Sequence, residues 1–166
     1  MTADRRASMV HVEVIRTPSQ DPPERRLSDL ARGLELVLAA HRPDVMAVEA
    51  VFAQQNRRTV MGTAQASGVA LLVAGQNGIR AFTHTPTEVK AAITGYGAAD
   101  KRQVQTMVAR ILHLSVIPTP ADAADALALA ICHAWRRSPD APSSAAPRTP
   151  AQQAWHDAAR ARGGTR

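Results

Sequence analysis

Pro118-Thr119-Pro120-Ala121-Asp122-Ala123-Ala124-Asp125-Ala126-Leu127-Ala128-Leu129-Ala130 reads as the start of an apolar helix carrying two aspartates three residues apart. Residues at i and i+3 face the same side of a helix, so both carboxylates point into the same few ångströms. Two readings compete. Thr119 as N-cap, Pro120 in the first turn and Asp122 as the third-position partner would form a capping box, with both acids answering the helix dipole. That accounts well for one acid and less well for the second. A bound cation accounts for both, because like charges held together repel unless something neutralises them.

Working outward, a third acid has an unusual setting. Val45-Met46-Ala47-Val48-Glu49 is a short apolar run ending in a charge, and reads as a buried strand. The spacing of Leu27, Leu30, Leu34, Val37 and Leu38 predicts an amphipathic helix over 24–41, before Arg42-Pro43-Asp44. Val10-His11-Val12-Glu13-Val14-Ile15 alternates and predicts a strand. After Glu49 come a polar loop, a long small-residue helix over 59–77, a strand at 79–82, a short helix over 86–93 and a helix over 101–114. The aspartate helix closes this part near Arg136. Strands alternating with helices indicate an α/β domain. In open α/β sheets ligand chemistry collects at the carboxyl ends of strands, where Glu49 lies.

The chain has 166 residues, enough for one core, here built with few aromatics (3%). Its net charge of +6 and pI near 10.9 favour a polyanionic partner, nucleic acid before membrane. Cys132 is the sole cysteine, so no internal disulfide framework or Cys/His zinc spacing exists, and its reading is a small buried hydrophobe. Arg5 and Arg6 precede no apolar stretch of a signal peptide, which predicts a cytoplasmic address. Residues 138–166, with Pro139-Asp140-Ala141-Pro142-Ser143-Ser144 and Arg148, Arg160, Arg162 and Arg166, predict a disordered basic tail behind a domain of residues 1–137.

Glu49, Asp122 and Asp125 together would offer three oxygen ligands and no sulfur, which suits Mg²⁺ or Mn²⁺ better than zinc. Paired ions of this kind clamp the attacking water and the leaving oxygen in phosphodiester hydrolysis. A basic protein with such a site is a nuclease candidate. No phosphate-binding Gly-rich loop, His-Glu-x-x-His or Gly-x-Ser-x-Gly is present. Gly62 and Gly68 read as close helix packing. His133, two turns past Asp125, reads as a packing residue, a poor ligand at that distance.

Five segments carry a resemblance: Val48-Glu49-Ala50-Val51-Phe52, Gly62-Thr63-Ala64-Gln65-Ala66, Pro86-Thr87-Glu88-Val89-Lys90, Asp100-Lys101-Arg102-Gln103-Val104-Gln105 and Ala121-Asp122-Ala123-Ala124-Asp125-Ala126-Leu127-Ala128. In order and spacing, from about Val10 to Trp135, the chain resembles the RuvC family of Holliday-junction resolvases. The resemblance implies an RNase H-like fold, a homodimer, Mg²⁺-dependent cutting of four-way junction DNA, and work alongside the RuvA–RuvB branch-migration machinery. By the same resemblance Glu49, Asp122 and Asp125 are metal-binding catalytic acids. Phe52 is the aromatic that stacks at the junction, and Lys90 and Lys101 support phosphate binding and catalysis. Arg57 and Arg58 are phosphate contacts by position. The small-residue helix is part of the dimer interface.

The family's first catalytic aspartate sits on an opening strand in a Gly-x-Asp-Pro-Gly-like motif, and nothing in residues 1–166 matches it. Asp4 follows no apolar run and is no substitute. The expectation is a fold lacking its first strands, a metal site lacking one ligand, and Glu49 on an exposed apolar edge. A start codon assigned too late, a decayed gene and a non-catalytic junction-DNA-binding protein are the competing explanations. The first is favoured because the remaining acids and lysines are intact. The chain as given is expected to be inactive and poorly folded. A generic RNase H-like nuclease acting on other nucleic acids is a third functional class.

Overall fold

A computed structural model describes residues 6–51 and 57–136, except the side chains of 57–59. Its elements run α1 (Pro23–His41), β1 (Val45–Glu49), α2 (Arg57–Gln76), β2 (Arg80–His84), α3 (Pro86–Thr94), α4 (Lys101–Ile111) and α5 (Ala121–Arg136). The helical spacings and the acid-terminated strand therefore appear where the sequence places them, within one to three residues. β1 and β2 pair in parallel across the α2 crossover, with Val45 opposite Arg80 and Glu49 opposite His84. Ala50 N–H extends the ladder by donating to the His84 carbonyl at 2.9 Å.

Local chemistry sets the ends of the short helices. Thr85 and Glu88 form a reciprocal capping box ahead of Pro86, and Asp100 and Gln103 form another ahead of Lys101. Gly95 ends α3 in the left-handed region (φ 78°), a conformation glycine adopts without Cβ strain. The expected capping box at the aspartate helix does not form as read. α5 begins at Ala121, so Asp122 takes the second helical position and Pro120, not Thr119, precedes the helix.

The main core lies among α3, α4 and α5. Val89, Ile93, Val104, Val108, Leu112, Leu127, Ala128, Ile131 and Cys132 form one buried cluster. Cys132 is fully buried, as a small hydrophobe would be. Val104 and Val108 stand one turn apart on the apolar face of α4, and α5 answers them with Leu127, Ala128 and Ile131. This packing fixes the bases of the two helices that carry Lys101, Asp122 and Asp125.

The expected strand over Val10–Ile15 is a correction. The segment keeps an alternating pattern of exposure from His11 to Val14, but among the described residues it joins no ladder. A strand is stabilised by a neighbour's backbone, and among the described residues the sheet has only β1 and β2. Side-chain packing holds the segment instead. Ala7 and Val12 reach the core cluster, and His11 stacks on His41 with ring centroids 4.6 Å apart. Ile15 crosses α1 at Gly33, where a Cβ would come within 2.8 Å of it. β1 consequently has one edge without a strand partner among the described residues, although Val45 to Val48 are half-buried or buried where the sequence predicts an exposed apolar edge. Gly62, Gly68 and Gly75 face open space, so among the described residues the close packing read for Gly62 and Gly68 does not occur. Among the described residues no helix is long and apolar enough to cross a membrane.

Candidate active site

Five elements deliver side chains to one cavity of about 950 Å³. β1 contributes Glu49, α3 Lys90, α4 Lys101, and α5 both Asp122 and Asp125, while Thr63 of α2 adds a hydroxyl. Each position follows from local structure. Glu49 ends its strand, Lys101 opens its helix after the Asp100 cap, and the i, i+3 spacing turns Asp122 and Asp125 to one side of α5. Val89, Val104 and Leu129 form apolar parts of the wall.

The charges in the cavity are coupled. Lys101 Nζ lies 3.0 Å from Asp125 Oδ2, with both side chains about half exposed. That hydrogen bond is the largest of the effects raising the Lys101 pKa, and Asp122 and Glu49 act in the same direction. Burial pushes the Glu49 carboxyl above its ordinary value, and the negative charge of Asp125 pushes it further, against the pull of Lys101. Glu49 and Asp125 thus sense each other across the cavity, as two carboxylates sharing a site do.

The donor set fits a hard cation in type: three carboxylates on one cavity, no sulfur, and mutual repulsion that a positive charge relieves. Among the described residues, however, no three acids, histidines or cysteines close into a ready ligand shell. The three acids line a common space without converging on one point. Lys101 partly neutralises Asp125 in that arrangement.

Of the other residues read from sequence, Phe52 lies outside the described residues. Arg57 and Arg58 have only their backbone described, in the first turn of α2. The tail over 138–166 also lies outside them. His133 packs, as read: it is buried, 4.5 Å from the Phe82 ring by centroids, with Nδ1 2.9 Å from His84 Nε2. Sequence reading missed His84 and Thr63. The only sequence signal for His84 is its place one residue before Thr85-Pro86 at the strand end. Its parallel register with Glu49 is a tertiary fact.

The chain as a whole is similar to known proteins. The family model of crossover junction endodeoxyribonuclease RuvC matches residues 1–133. The chain belongs to the RuvC family. RuvC of Leifsonia xyli subsp. xyli is 54% identical over 170 residues, covering 95% of this chain and 82% of that protein. RuvC of Clavibacter michiganensis is 50% identical over 182 residues, covering 99% and 90%. A Thermus thermophilus RuvC structure superposes with TM-score 0.70 at 33% identity over 78% of this chain and 77% of that one. T. thermophilus RuvC in complex with a Holliday junction substrate gives 0.76 at 33% identity, covering 82% of each chain. The helices and parallel strands described above are therefore those of an RNase H-like fold, as expected from sequence.

Proposed function

We propose that this RuvC-family chain grips four-way junction DNA and cuts it by metal-dependent phosphodiester hydrolysis, its acids completed by a first aspartate not found in residues 1–166. The supporting observation is the meeting of Glu49, Asp122, Asp125, Lys90 and Lys101 on one cavity. The protein relatives carry the name of that activity, and one structural neighbour is bound to a Holliday junction.

Glu49, Asp122 and Asp125 would hold Mg²⁺, or Mn²⁺ in its place, as a pair of ions. Such ions generate a nucleophilic water and stabilise the leaving oxygen. The protein's own contributions are more specific. Lys101, fully protonated and held at Asp125, presents positive charge beside the acids to a non-bridging phosphate oxygen. Lys90, half-buried on α3, adds a second such contact. Asp122 and Asp125 keep their direction because the buried face of α5 cannot rotate without losing Leu127 and Ile131 from the core. Phe52 stacks on a base at the junction, and Arg57 and Arg58 contact phosphates nearby.

Two chains acting together would cut paired strands. The open face of α2 supports a homodimer: Met61 and Leu72 are about 60% exposed, next to glycines that admit close backbone approach. A cytoplasmic address, the tail's loose attraction to nucleic acid and cooperation with RuvA–RuvB belong to the same proposal.

The test compares residues 1–166 with a chain extended upstream through an apolar strand bearing Gly-x-Asp, on four-way and linear DNA at matched salt. Matched salt is needed because phosphate contacts make affinity salt-dependent. Residues 1–166 should bind junctions without incision, and the extended chain should cut them with Mg²⁺. Asp125→Asn in the extended chain should retain binding and lose at least ~100-fold in rate, as when a group stabilising transition-state charge is removed. Incision by residues 1–166 alone would refute the missing-ligand argument. Binding without incision by the extended chain would make this a junction-binding protein, and equal action on linear duplex a general nuclease.

A further inference from the structure

Two buried histidines bridge the elements that carry the acids. His84 ends β2 directly opposite Glu49 of β1 in the parallel ladder. His133 lies on α5, two turns beyond Asp125. Their rings meet at Nε2 of His84 and Nδ1 of His133, 2.9 Å apart, with both residues only 5% exposed. A continuous set of rigid links therefore runs from Glu49 through the ladder to His84, then to His133, and along α5 to Asp125.

We infer that His84 and His133 are positioning residues for the acid cluster, fixing where the Glu49 strand end stands relative to the aspartates of α5. α5 packs directly on both strands, and its fully buried surface includes Ala124 and Ala128. Apolar contact between a helix of alanines and a strand is non-directional and tolerates sliding. One residue of sliding along α5 shifts Asp125 by about 1.5 Å, enough to spoil a shared ligand site. A buried hydrogen bond has a defined length and angle and removes that freedom.

The pair works only with one N–H and one bare nitrogen at the contact. Two imidazolium rings would face N–H to N–H, so at least one ring is neutral, in keeping with the burial that lowers the His84 pKa. His84 Nδ1 is buried and has no hydrogen-bond partner among the described residues. One ring supplies the N–H at the His84–His133 contact and the other accepts it with a bare nitrogen. α5 is tied down at the same end by two further contacts. Cys132 Sγ donates to the Glu88 carbonyl at 3.8 Å, and Arg136 Nη1 donates to Glu88 Oε1 at 3.0 Å. Glu88 also caps α3, the helix of Lys90, so the same end of α5 sets that lysine's helix too.

This inference rests on the acids forming a cation site, so the test separates the two ideas. Mn²⁺ binding to the full chain is titrated for wild type, His84→Leu and His84→Gln, with junction affinity in EDTA and the unfolding midpoint alongside. Leucine keeps the volume and removes the hydrogen bond, whereas glutamine restores a donor of similar reach. His84→Leu should weaken Mn²⁺ binding about tenfold, the low end of losses seen when residues behind metal ligands are removed. His84→Gln should recover to within about threefold, with EDTA junction affinity unchanged in both. Equal Mn²⁺ binding by wild type and His84→Leu, or no rescue by a folded His84→Gln, would overturn the inference. No Mn²⁺ binding by wild type would overturn the cation site itself. Imidazole ¹⁵N spectra of the wild type decide independently of how the variants fold. One protonated and one bare nitrogen at the His84 Nε2–His133 Nδ1 contact are expected at pH 7, and protonation of both would refute the arrangement.

Discussion

Replacing Lys101 with methionine separates two roles that the cavity assigns to one side chain. Lys101 is the countercharge of Asp125 and, in the proposed reaction, a contact for the scissile phosphate. Its ammonium lies 3.0 Å from the carboxylate. At that distance the Coulomb attraction with water-like screening is about 1.4 kcal/mol. Both groups are roughly half exposed, so salt and side-chain ordering reduce the net worth to ~0.2–1 kcal/mol. The Lys101→Met chain should therefore lose less than about 1 kcal/mol of stability in urea unfolding. A cation bound at Asp125 has to take that carboxylate from the lysine. Removing the lysine spares the same amount, so calorimetric titration should find Mn²⁺ binding unchanged to about fivefold tighter, since ~1.4 kcal/mol corresponds to tenfold. Incision by the extended chain at saturating metal should move the other way. Losing a charge-assisted hydrogen bond worth about 1.5–3 kcal/mol slows it by roughly 10- to 100-fold. The opposition of the two effects is the diagnostic. If Mn²⁺ binding weakened tenfold or more, Lys101 would be holding the acids in place instead of competing for one of them, and the reasoning would fail.

Glu49→Gln gives a pH-dependent stability difference whose sign follows from the raised Glu49 pKa. The folded chain holds this proton more tightly than the unfolded one, so the stability it confers is present below the ordinary value of 4.5 and is lost as pH rises through the raised value. At pH 7 the glutamine variant should need more urea to unfold than wild type, with the difference closing toward pH 4; coincident curves at pH 7 would contradict the burial and Asp125 repulsion described. Ile131→Ala, in the α3–α4–α5 core, should cost about 2–5 kcal/mol in urea unfolding, and a loss under ~1 kcal/mol would place Ile131 outside the core. Leu72→Glu on the open face of α2 should weaken self-association at least tenfold by sedimentation, the scale of one central interface residue, with the monomer's unfolding curve unchanged; an undisturbed dimer would put the interface elsewhere.

The acids were legible because each signals locally. A charge ending an apolar run, and two aspartates at i, i+3 on an alanine helix, need no tertiary information. The capping boxes before Pro86 and Lys101 are likewise local chemistry, and the helices they start carry Lys90 and Lys101. Val10–Ile15 shows the limit. Its alternation is real, with Val12 and Val14 turned inward, but a strand also needs a neighbour's backbone, which no period-two pattern guarantees. His84 shows a second limit. Nothing adjacent to it in sequence reveals that parallel pairing sets it opposite Glu49, or that His133 comes back to meet it 49 residues later. Read alone, His133 was correctly a packing residue, but the partner that makes its packing directional was invisible.

The parts of the site are not held with equal firmness, and this bears on how it would work. Asp122, Asp125, Lys90 and Lys101 stand on helices whose inner faces share one buried cluster, so moving any of them disturbs Val108, Leu127 or Ile131. Glu49 stands on a strand paired along one edge only among the described residues, with Val45 to Ala47 half-buried. Its connections to the rest of the site are the ladder to β2, direct packing against α2 and α5, and, through His84, the hydrogen bond to His133. The carboxylate that must approach Asp125 against like-charge repulsion is thus on the strand with one edge unpaired among the described residues. A directional polar contact is most valuable at that place, and the buried histidine pair occurs there. The helices provide a fixed frame, and the β1–β2 ladder brings the third acid to it.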